Sequence, residues 1–169
     1  MKPIHALGGA LALSLAACVP QPKSSPPVQP RPVATPKPTP APPPAAVNWM
    51  DVPQTPGDWL YRATGGQSRA SFGDGETLHF QIICIPGKGI TLVRPRTGGD
   101  LMRIRTETVE RTLQAESRQD AVISTVSAND RLLDAMALSK GRFAVEVAGA
   151  PPLYLPSWAE VTRVIEDCR

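Results

Sequence analysis

The stretch Thr77-Leu-His-Phe-Gln-Ile-Ile-Cys-Ile85 carries the clearest secondary-structure pattern in the chain. Its side chains alternate in character, with Leu78, Phe80, Ile82 and Cys84 on one face and Thr77, His79 and Gln81 on the other. Successive side chains of a strand point to opposite faces of its sheet, so one face of this strand should be buried. We therefore predict a half-buried central strand of an antiparallel sheet.

Shorter strand-like runs lie on both sides of this central strand. Turn signals at Gly73-Asp-Gly75 and Pro86-Gly-Lys-Gly89 bound it. Further strands are predicted at 58–61, 68–72, 90–93, 101–113, 121–126, 143–147 and 153–155. This number and spacing of short strands favour a β-sandwich over a doubly wound α/β fold.

Two helices complete the predicted fold. The first covers 131–138, with Ser127 or Asn129 as its N-cap and Gly141 just beyond its C-terminus. The second follows the capping-box pattern Ser157-Trp-Ala-Glu160. One face of this second helix carries Val161, Val164, Ile165 and Cys168. The expected fold class is mainly β (α+β): a small antiparallel sandwich or curled sheet with two short helices, one of them C-terminal.

The chain before this β-rich region has a different composition. Of the 20 prolines, 12 fall between Pro20 and Pro44, and no aromatic residue precedes Trp49. Such a segment cannot bury enough apolar surface to offset the entropy lost on ordering. We therefore predict a signal peptide over 1–17, an acylated cysteine with a proline-rich disordered tether over 18–47, and a single folded β-rich domain over 48–169.

The sequence Leu15-Ala16-Ala17-Cys18 resembles the lipobox of bacterial lipoproteins. Cys18 directly follows a largely apolar stretch over 4–17, and Lys2 precedes that stretch. The stretch is shorter than the roughly 20 residues of a membrane span and is typical of a secretory signal. The resemblance implies that Cys18 is diacylated, by acyl chains such as palmitate, and becomes the first residue of the mature protein. A plain signal peptide with an incidental cysteine is the alternative.

The same resemblance implies a location in the cell envelope. Cys18 is followed by Val19, not by the aspartate that favours inner-membrane retention in enteric bacteria, so we expect an outer-membrane anchor with the domain in the periplasm. The tether favours polyproline II, and residues 20–47 would reach about 85–90 Å at roughly 3.1 Å per residue. We expect it to act as a spacer and not as a docking motif.

The formal net charge of +3 does not describe the folded region. Four Lys and Arg and no acidic residue precede Asn48, whereas 14 Lys and Arg stand against 15 Asp and Glu from Asn48 onward, a net charge of −1. The folded region is therefore not a globally basic nucleic-acid binder. We expect contact with the membrane through the acyl anchor and no nucleic-acid partner.

Two cysteines remain once Cys18 is acylated. Export places Cys84 and Cys168 in an oxidising compartment, and both lie on apolar faces that should meet in one core. We therefore predict a Cys84–Cys168 disulfide. The alternative is a metal-binding or catalytic thiol, but His79 alternates to the other face of its strand, and one histidine with two cysteines is too few ligands for zinc. We predict no metal site and no cofactor.

The most distinctive charged cluster comprises Arg94, Arg96, Arg103 and Arg105. Guanidinium groups bind phosphate and carboxylate through paired donors, so the four are a candidate binding site for an anionic envelope polymer. The alternative is a solvated strand face paired with acids such as Glu107 and Glu110.

No catalytic residue is predicted. His79 is the only histidine after the leader and could serve as a general base, but no serine or cysteine is linked to it by a motif. A polar role between strands is the simpler interpretation. Ser157 lies outside a Gly-x-Ser-x-Gly context, so we interpret it as a helix cap.

Part of the folded region resembles the invasion-associated locus B family. The stretches that carry the resemblance are Gly57–Trp59, Asp130–Met136, Phe143–Val147 and Pro152–Ser157. The family comprises exported β-rich bacterial proteins with no established enzymatic activity, and some members are linked to host-cell interaction. This chain lacks the cysteine expected soon after the opening tryptophan, so only the fold is carried over.

Taken together, these patterns predict a lipid-anchored envelope module that binds or scaffolds and has no evident catalytic activity. Its partner would be an anionic envelope polymer or an envelope protein. The alternative is a small envelope hydrolase or modifying enzyme whose site is assembled from residues that the sequence does not link.

Overall fold

The computed structural model describes residues 48–169, so the predicted signal peptide, tether and acylated Cys18 lie outside the described residues. The strands are β1 (Asp58–Thr64), β2 (Gln67–Gly73), β3 (Leu78–Ile85), β4 (Gly89–Pro95), β5 (Leu101–Arg105), β6 (Glu110–Gln114), β7 (Glu116–Arg118), β8 (Ala121–Val126), β9 (Arg142–Glu146) and β10 (Leu153–Pro156). The helices are α1 (Arg131–Ala137), α2 (Ala159–Glu166) and a short 3-10 turn at Trp49–Asp51.

These strands form two antiparallel sheets, as the alternating pattern predicts. The larger sheet has the order β1-β2-β3-β4-β8-β7, and the smaller has the order β10-β9-β5-β6. The predicted fold class, mainly β with two short helices of which one is C-terminal, is confirmed. No helix between residues 48 and 169 is long and apolar enough to cross a membrane.

The central strand lies where its alternation places it. In β3, Phe80, Ile82 and Cys84 are buried, whereas His79 and Gln81 are partly exposed. Leu78, which was predicted on the buried face, is exposed at the start of the strand. Burying a large apolar side chain contributes roughly 1.5–3 kcal/mol, so this face fixes both the orientation and the register of the strand.

Tight turns connect the first four strands into a meander. Gly65 and Gly66 have φ angles of 61° and 75°, which allow a two-residue hairpin turn between β1 and β2. Gly89 is required for a different reason, because a Cβ there would lie 2.3 Å from the carbonyl oxygen of Val126.

The two sheets enclose one apolar core. Phe80 of the larger sheet meets Phe143 of the smaller in an edge-to-face contact, with 6.4 Å between ring centroids. At the β1 side, the indole Nε1 of buried Trp59 donates a hydrogen bond of 2.8 Å to the carbonyl oxygen of Pro156. This bond satisfies a polar atom that would otherwise be buried without a partner.

The predicted strand over 101–113 is in fact a hairpin of β5 and β6. Thr106 ends β5, because its backbone N–H donates to the carbonyl of Val109 and its hydroxyl bonds the N–H and the carbonyl of the same residue. Local hydroxyl-to-backbone bonds of this kind compete with the sheet ladder. The short strand β7 was not predicted, because its three residues are all exposed and carry no apolar alternation.

The predicted caps of both helices are wrong in detail. The carboxylate of Asp130, and not Ser127 or Asn129, accepts the N–H of Leu132 at the start of α1. Helix α1 ends before Leu138, and Gly141 lies in the following turn.

At α2 the capping-box prediction fails. The N-cap is Trp158, which makes no side-chain capping bond. The hydroxyl of Ser157 instead donates a 2.8 Å bond to the carbonyl of Met136, near the end of α1. A carbonyl in the last turn of a helix has no partner within that helix. Ser157 supplies the missing partner to Met136, so its hydroxyl does not cap α2.

Helix α2 packs its apolar face on β1, β2 and β3, and it also contacts α1. Val161, Val164 and Ile165 are buried in this contact. The predicted disulfide joins Cys84 to Cys168 with the two Cα atoms 5.4 Å apart, and it fixes the end of the chain on the central strand.

We expect the double variant Cys84→Ser/Cys168→Ser to lose about 4–5 kcal/mol of unfolding free energy, because the bond closes a loop of 84 residues and restricts the unfolded chain. Urea titration with and without reductant measures the loss. Reduced wild type is the control and should match the variant measured with and without reductant. An unchanged midpoint on reduction would contradict the structural role of the bond.

We expect Asp130→Asn to destabilise the domain by about 1 kcal/mol at neutral pH. Asparagine can still cap α1, but it loses the ion pair in which Arg111 donates two bonds of 2.9 and 2.7 Å to the carboxylate. The hydrogen bond from Arg111 is the main cause that holds the pKa of Asp130 below its usual value of 3.8.

The pH dependence of this difference has a definite sign. A depressed carboxyl pKa stabilises the fold above the ordinary pKa, and this contribution is lost as the pH falls through the lower folded-state value. The difference between wild type and Asp130→Asn should therefore shrink below about pH 4. Exposed Asp51→Asn is the control. A difference that stayed constant down to acid pH would refute the role of the ion pair.

Candidate functional site

The four arginines singled out in the sequence are divided between the two sheets. Arg94 belongs to β4 and is buried, with its guanidinium donating to the carbonyls of His79 at 3.0 Å and Pro151 at 3.4 Å. Burial lowers the pKa of Arg94, and the nearby charge of Arg96 adds to this effect. Arg96 is exposed beyond the end of β4 and donates to the carbonyl of Leu78. Both guanidinium groups thus donate to backbone carbonyls of β3, and that of Arg94 also reaches the segment that precedes β10.

Arg103 and Arg105 lie on the outer face of the smaller sheet, between Glu110 and Glu146. Arg105 contacts both carboxylates, at 3.1 and 3.2 Å, and Arg103 pairs with Glu110 and, at 3.5 Å, with Glu146. The hydrogen bond between Arg103 and Glu110 is the main cause that raises the pKa of the arginine and lowers that of the glutamate. Two cations and two anions therefore offset each other here.

The sequence quartet consequently forms no single cluster. The pairing of Arg103 and Arg105 with acids follows the alternative interpretation, with Glu110 in the expected role. Glu107 instead pairs with Lys140 at 3.2 Å. A candidate site for an anion must be sought elsewhere on the surface.

His79 has an acidic neighbour, but the pair has a structural explanation. Its Nε2 lies 3.4 Å from Asp74 Oδ2, while Asp74 Oδ1 accepts the backbone N–H groups of Glu76 and Thr77 at 3.1 and 2.7 Å. The bond from Thr77 is the main cause that lowers the pKa of Asp74. The carboxylate thus closes the β2–β3 turn.

No nucleophile completes this pair within the part of the chain that the structure describes. A shallow cleft beside the turn includes Asp58, Ser71 and Glu76, but the hydroxyl of Ser71 accepts a 2.9 Å bond from Gln81. No hydroxyl or thiol is hydrogen-bonded to His79 among residues 48–169. The same residues also contain no group of three His, Cys, Asp or Glu side chains that could hold a metal ion.

Uncompensated positive charge lies instead on the β1–β2 hairpin. Arg62 and Arg69 stand directly opposite each other in the register of these strands, and both are exposed. Neither has an acidic partner within 4 Å among the described residues. We call these two residues the arginine pair. Like charges directly opposite on a sheet destabilise it, so the arginine pair calls for a physical reason.

The other face of the same hairpin carries a polar group of a different kind. Tyr61 donates a 2.5 Å hydrogen bond to Asp167, and the guanidinium of Arg163 lies 4.0 Å from the centre of the tyrosine ring. The hydrogen bond between Tyr61 and Asp167 is the main cause that raises the pKa of Tyr61 and lowers the pKa of Asp167. The end of α2 is thereby attached to β1.

Ser68 adjoins this group and is buried. Its Oγ lies near Tyr61 and Asp167, but no group of residues 48–169 meets the geometry of a hydrogen bond with it. Buried polar atoms normally have a partner, so the Oγ of Ser68 is an exception among the described residues, together with the Nε of Arg111. Ser68 lines an open cleft together with Tyr61, Gln67, Cys84 and Asp167. We call this space the hairpin cleft.

The sequence contains a local signal for the register of the arginine pair. The Gly65-Gly66 dipeptide is typical of a two-residue hairpin turn, and such a turn pairs Thr64 with Gln67 and therefore Arg62 with Arg69. The hairpin cleft had no such signal, because Asp167 lies about a hundred residues away from Tyr61 in the chain.

Comparisons of the chain with protein-family models, with curated proteins and with solved structures found no match. The class of protein is therefore given by its fold: a small antiparallel β-sandwich with a disulfide-bonded C-terminal helix.

Proposed function

We propose that this chain is a lipid-anchored, non-catalytic module of the cell envelope, and that its β-sandwich binds an anionic envelope polymer. The observation that carries this proposal is the arginine pair on the exposed face of the larger sheet. In this proposal Cys18 holds the acyl chains in the outer membrane, and residues 18–47 space the domain from the lipid on its periplasmic side.

The electrostatics of the arginine pair favour a polymer with repeated negative charge. A pair of opposed like charges destabilises a sheet by up to about 1 kcal/mol. An anion that contacts both guanidinium groups removes this repulsion and gains charge-assisted hydrogen bonds. The repulsion between the two guanidinium groups raises the free energy of the unbound protein, and a bound anion removes it. This difference favours binding.

The surroundings of the arginine pair suit an extended ligand. The next row of the same face contains exposed Leu60, partly buried Ser71 and Gln81, and then Val93. This row mixes apolar contact with hydrogen-bonding groups and runs across four strands. A linear polymer lying across the strands would contact the arginine pair and this row together.

The anchor supports the proposal by raising the local concentration of the domain. A tethered module would meet an envelope polymer at an effective concentration set by the length of the tether, which strengthens weak contacts such as those of two arginines. Two or more acyl chains would hold the protein on the membrane far more firmly than one. The tether then defines the volume that the domain can search.

The alternative function, a small hydrolase or modifying enzyme, would rest on Asp74 and His79. These residues lie 3.4 Å apart, but Asp74 is committed to its turn and no nucleophile adjoins His79 among the described residues. An envelope protein with an acidic surface is the other partner type that the arginine pair fits.

We expect Arg62→Glu/Arg69→Glu to weaken binding of the full chain to polygalacturonate by at least about tenfold, because two attractions become repulsions. Titration calorimetry at low and high salt measures the affinity, and the wild-type affinity should fall as salt rises. Lys88→Glu/Arg131→Glu is the matched control, since both residues are exposed and the double substitution makes the same change of charge away from the hairpin. Equal affinities of wild type, control and double variant would contradict the proposal.

We expect cells that express the wild-type chain to incorporate labelled palmitate into it, whereas cells that express Cys18→Ala should not, because the thiol is the proposed acylation site. Autoradiography of the immunoprecipitated chain measures incorporation. Cys84→Ser/Cys168→Ser is the control for labelling at other cysteines. Equal labelling of wild type and Cys18→Ala would eliminate the anchor and the proposed location.

A further inference from the structure

We infer that β1 is a dimerisation strand: its open edge pairs in antiparallel fashion with β1 of a second copy of this chain, so that the larger sheets of the two copies become one continuous sheet. This inference goes beyond the proposed function, because it names a protein partner and not a polymer. It is carried by three features of β1: an unpaired backbone edge, an exposed leucine, and two opposite charges placed on either side of that leucine.

The backbone edge of β1 is open. β1 is the outermost strand of the larger sheet and pairs with β2 on one side. The two-residue turn makes Thr64 and Gln67 the closing hydrogen-bonded pair of the hairpin, and hydrogen-bonded pairs alternate along an antiparallel ladder. The N–H and C=O groups of residues 59, 61 and 63 therefore point away from β2, and no backbone group from another element of residues 48–169 bonds them.

The usual devices that protect a strand edge are missing from β1. Native proteins interrupt such an edge with proline, with a bulge or with a charged side chain that points inward. β1 contains no proline, and its inward-pointing side chains are Trp59, Tyr61 and Ala63, which carry no charge. The register shift in this sheet lies between β2 and β3 and leaves β1 regular. The edge is thus available to another strand.

The outward-facing side chains of β1 form a short pattern of their own. Asp58, Leu60 and Arg62 are all exposed, and Leu60 is exposed by 52%. Like Arg62, Asp58 has no partner of opposite charge within 4 Å among the described residues. The two charges lie about 13 Å apart along the strand, so they cannot pair within one copy.

This outward-facing pattern is complementary to itself when it is reversed. An antiparallel pair of β1 strands with its twofold axis at Leu60 places Asp58 of each copy opposite Arg62 of the other, and Leu60 opposite Leu60. The same register pairs residues 59 and 61 of one copy with residues 61 and 59 of the other, and these are residues whose N–H and C=O groups are free. One arrangement therefore satisfies the backbone, the charges and the exposed leucine together.

Neighbouring registers do not satisfy all three conditions. An axis at Trp59 or Tyr61 places Leu60 opposite a charged side chain, and both ion pairs are lost. An axis at Arg62 places the two Arg62 side chains opposite each other, which destabilises a sheet. The side chains of β1 thus select one register and one partner, which is a second copy of this strand.

The dimer also supplies part of the negative charge that the arginine pair lacks. Arg62 would lie between Arg69 of its own copy and Asp58 of the other copy, so an attraction offsets the repulsion within the hairpin. Arg69 gains no acidic partner in this register. The continuous sheet therefore still presents two cationic positions to the polymer of the proposed function, and a polymer that reaches both is held more firmly than by one.

The first experiment cross-links the full chain at single positions. Cys18→Ala is the background, so that one introduced cysteine is the only unpaired thiol beside the Cys84–Cys168 bond. Two Leu60 residues on the twofold axis would have Cα atoms about 4.5 Å apart, within the range of a disulfide. We expect oxidation with copper phenanthroline to link most of Leu60→Cys into dimers and at least about tenfold less of Leu101→Cys. Leu101 is the matched control, because it is 43% exposed and lies on the smaller sheet.

The same chemistry checks the register. Asp58→Cys and Arg62→Cys should each link poorly to themselves, because equivalent residues lie about 13 Å apart along the two strands, beyond the reach of a disulfide. A mixture of the two variants should link well, because residue 58 of one copy faces residue 62 of the other. The second ion pair of this mixed dimer stays intact.

A second experiment tests the ion pairs without cross-linking. Sedimentation velocity over a concentration series measures the dissociation constant of the dimer in the Cys18→Ala chain. We expect Asp58→Arg and Arg62→Asp each to raise this constant by at least about tenfold, because like charges then face each other twice. Asp58→Arg/Arg62→Asp should restore it, because the ion pairs form again with their charges exchanged. Asp51→Arg is the matched control, since Asp51 is an exposed acid outside the sheets.

Three outcomes would overturn the pairing of β1. A chain that stays monomeric at every concentration, and that does not link at Leu60→Cys, forms no such dimer. A dimer that persists in both single charge variants, or that links Leu101→Cys as readily as Leu60→Cys, uses another surface. Failure of the charge exchange to restore the dimer would refute the register. Neither experiment contains a polymer, so both are independent of the proposed function.

Discussion

The bond between Cys84 and Cys168 is the constraint on which the position of the C-terminal helix depends. Cys84 is the last buried residue of the central strand, and Cys168 lies two residues beyond the end of α2 and not on the helix face where it was predicted. The bond holds the end of the chain on the central strand, next to β1, β2 and β3, where Val161, Val164 and Ile165 of α2 are buried. Because Asp167 precedes Cys168 and Ser68 pairs with Cys84, the same bond assembles the polar group of the hairpin cleft.

The exposed arginines of the two sheets differ in whether acidic side chains pair with them. On the smaller sheet, Arg103 and Arg105 are balanced by Glu110 and Glu146, and the Arg105 guanidinium also lies 5.6 Å from the ring centre of Trp49. On the larger sheet, the arginine pair has no acid close by among the described residues. A balanced network contributes to the fold and has little affinity left for an external anion. An unbalanced pair destabilises the fold slightly and is available to a ligand.

The sequence predicted the elements whose pattern is local. The alternation in 77–85, the Gly-containing turns and the apolar face of the last helix gave the fold class and the disulfide, because burial imposes a fixed period on each element. It failed where a side chain had two local choices. Thr106 bonds its own turn and divides a predicted strand, and Ser157 bonds the end of α1 instead of capping α2. Either choice satisfies a backbone group, and only the neighbouring element decides between them.

The candidate site also combines features that follow from local sequence with features that depend on contacts between distant residues. The amino-acid sequence determined that Arg62 and Arg69 face each other, since a two-residue turn fixes the register of a hairpin. It also determined that two cysteines on apolar faces would meet. Only the tertiary structure decided that Arg103 and Arg105 are balanced by acids, and that Tyr61, Ser68 and Asp167 adjoin. The physical reason is that these contacts join residues far apart in the chain, so their distances depend on how the sheets and α2 pack and not on any local period.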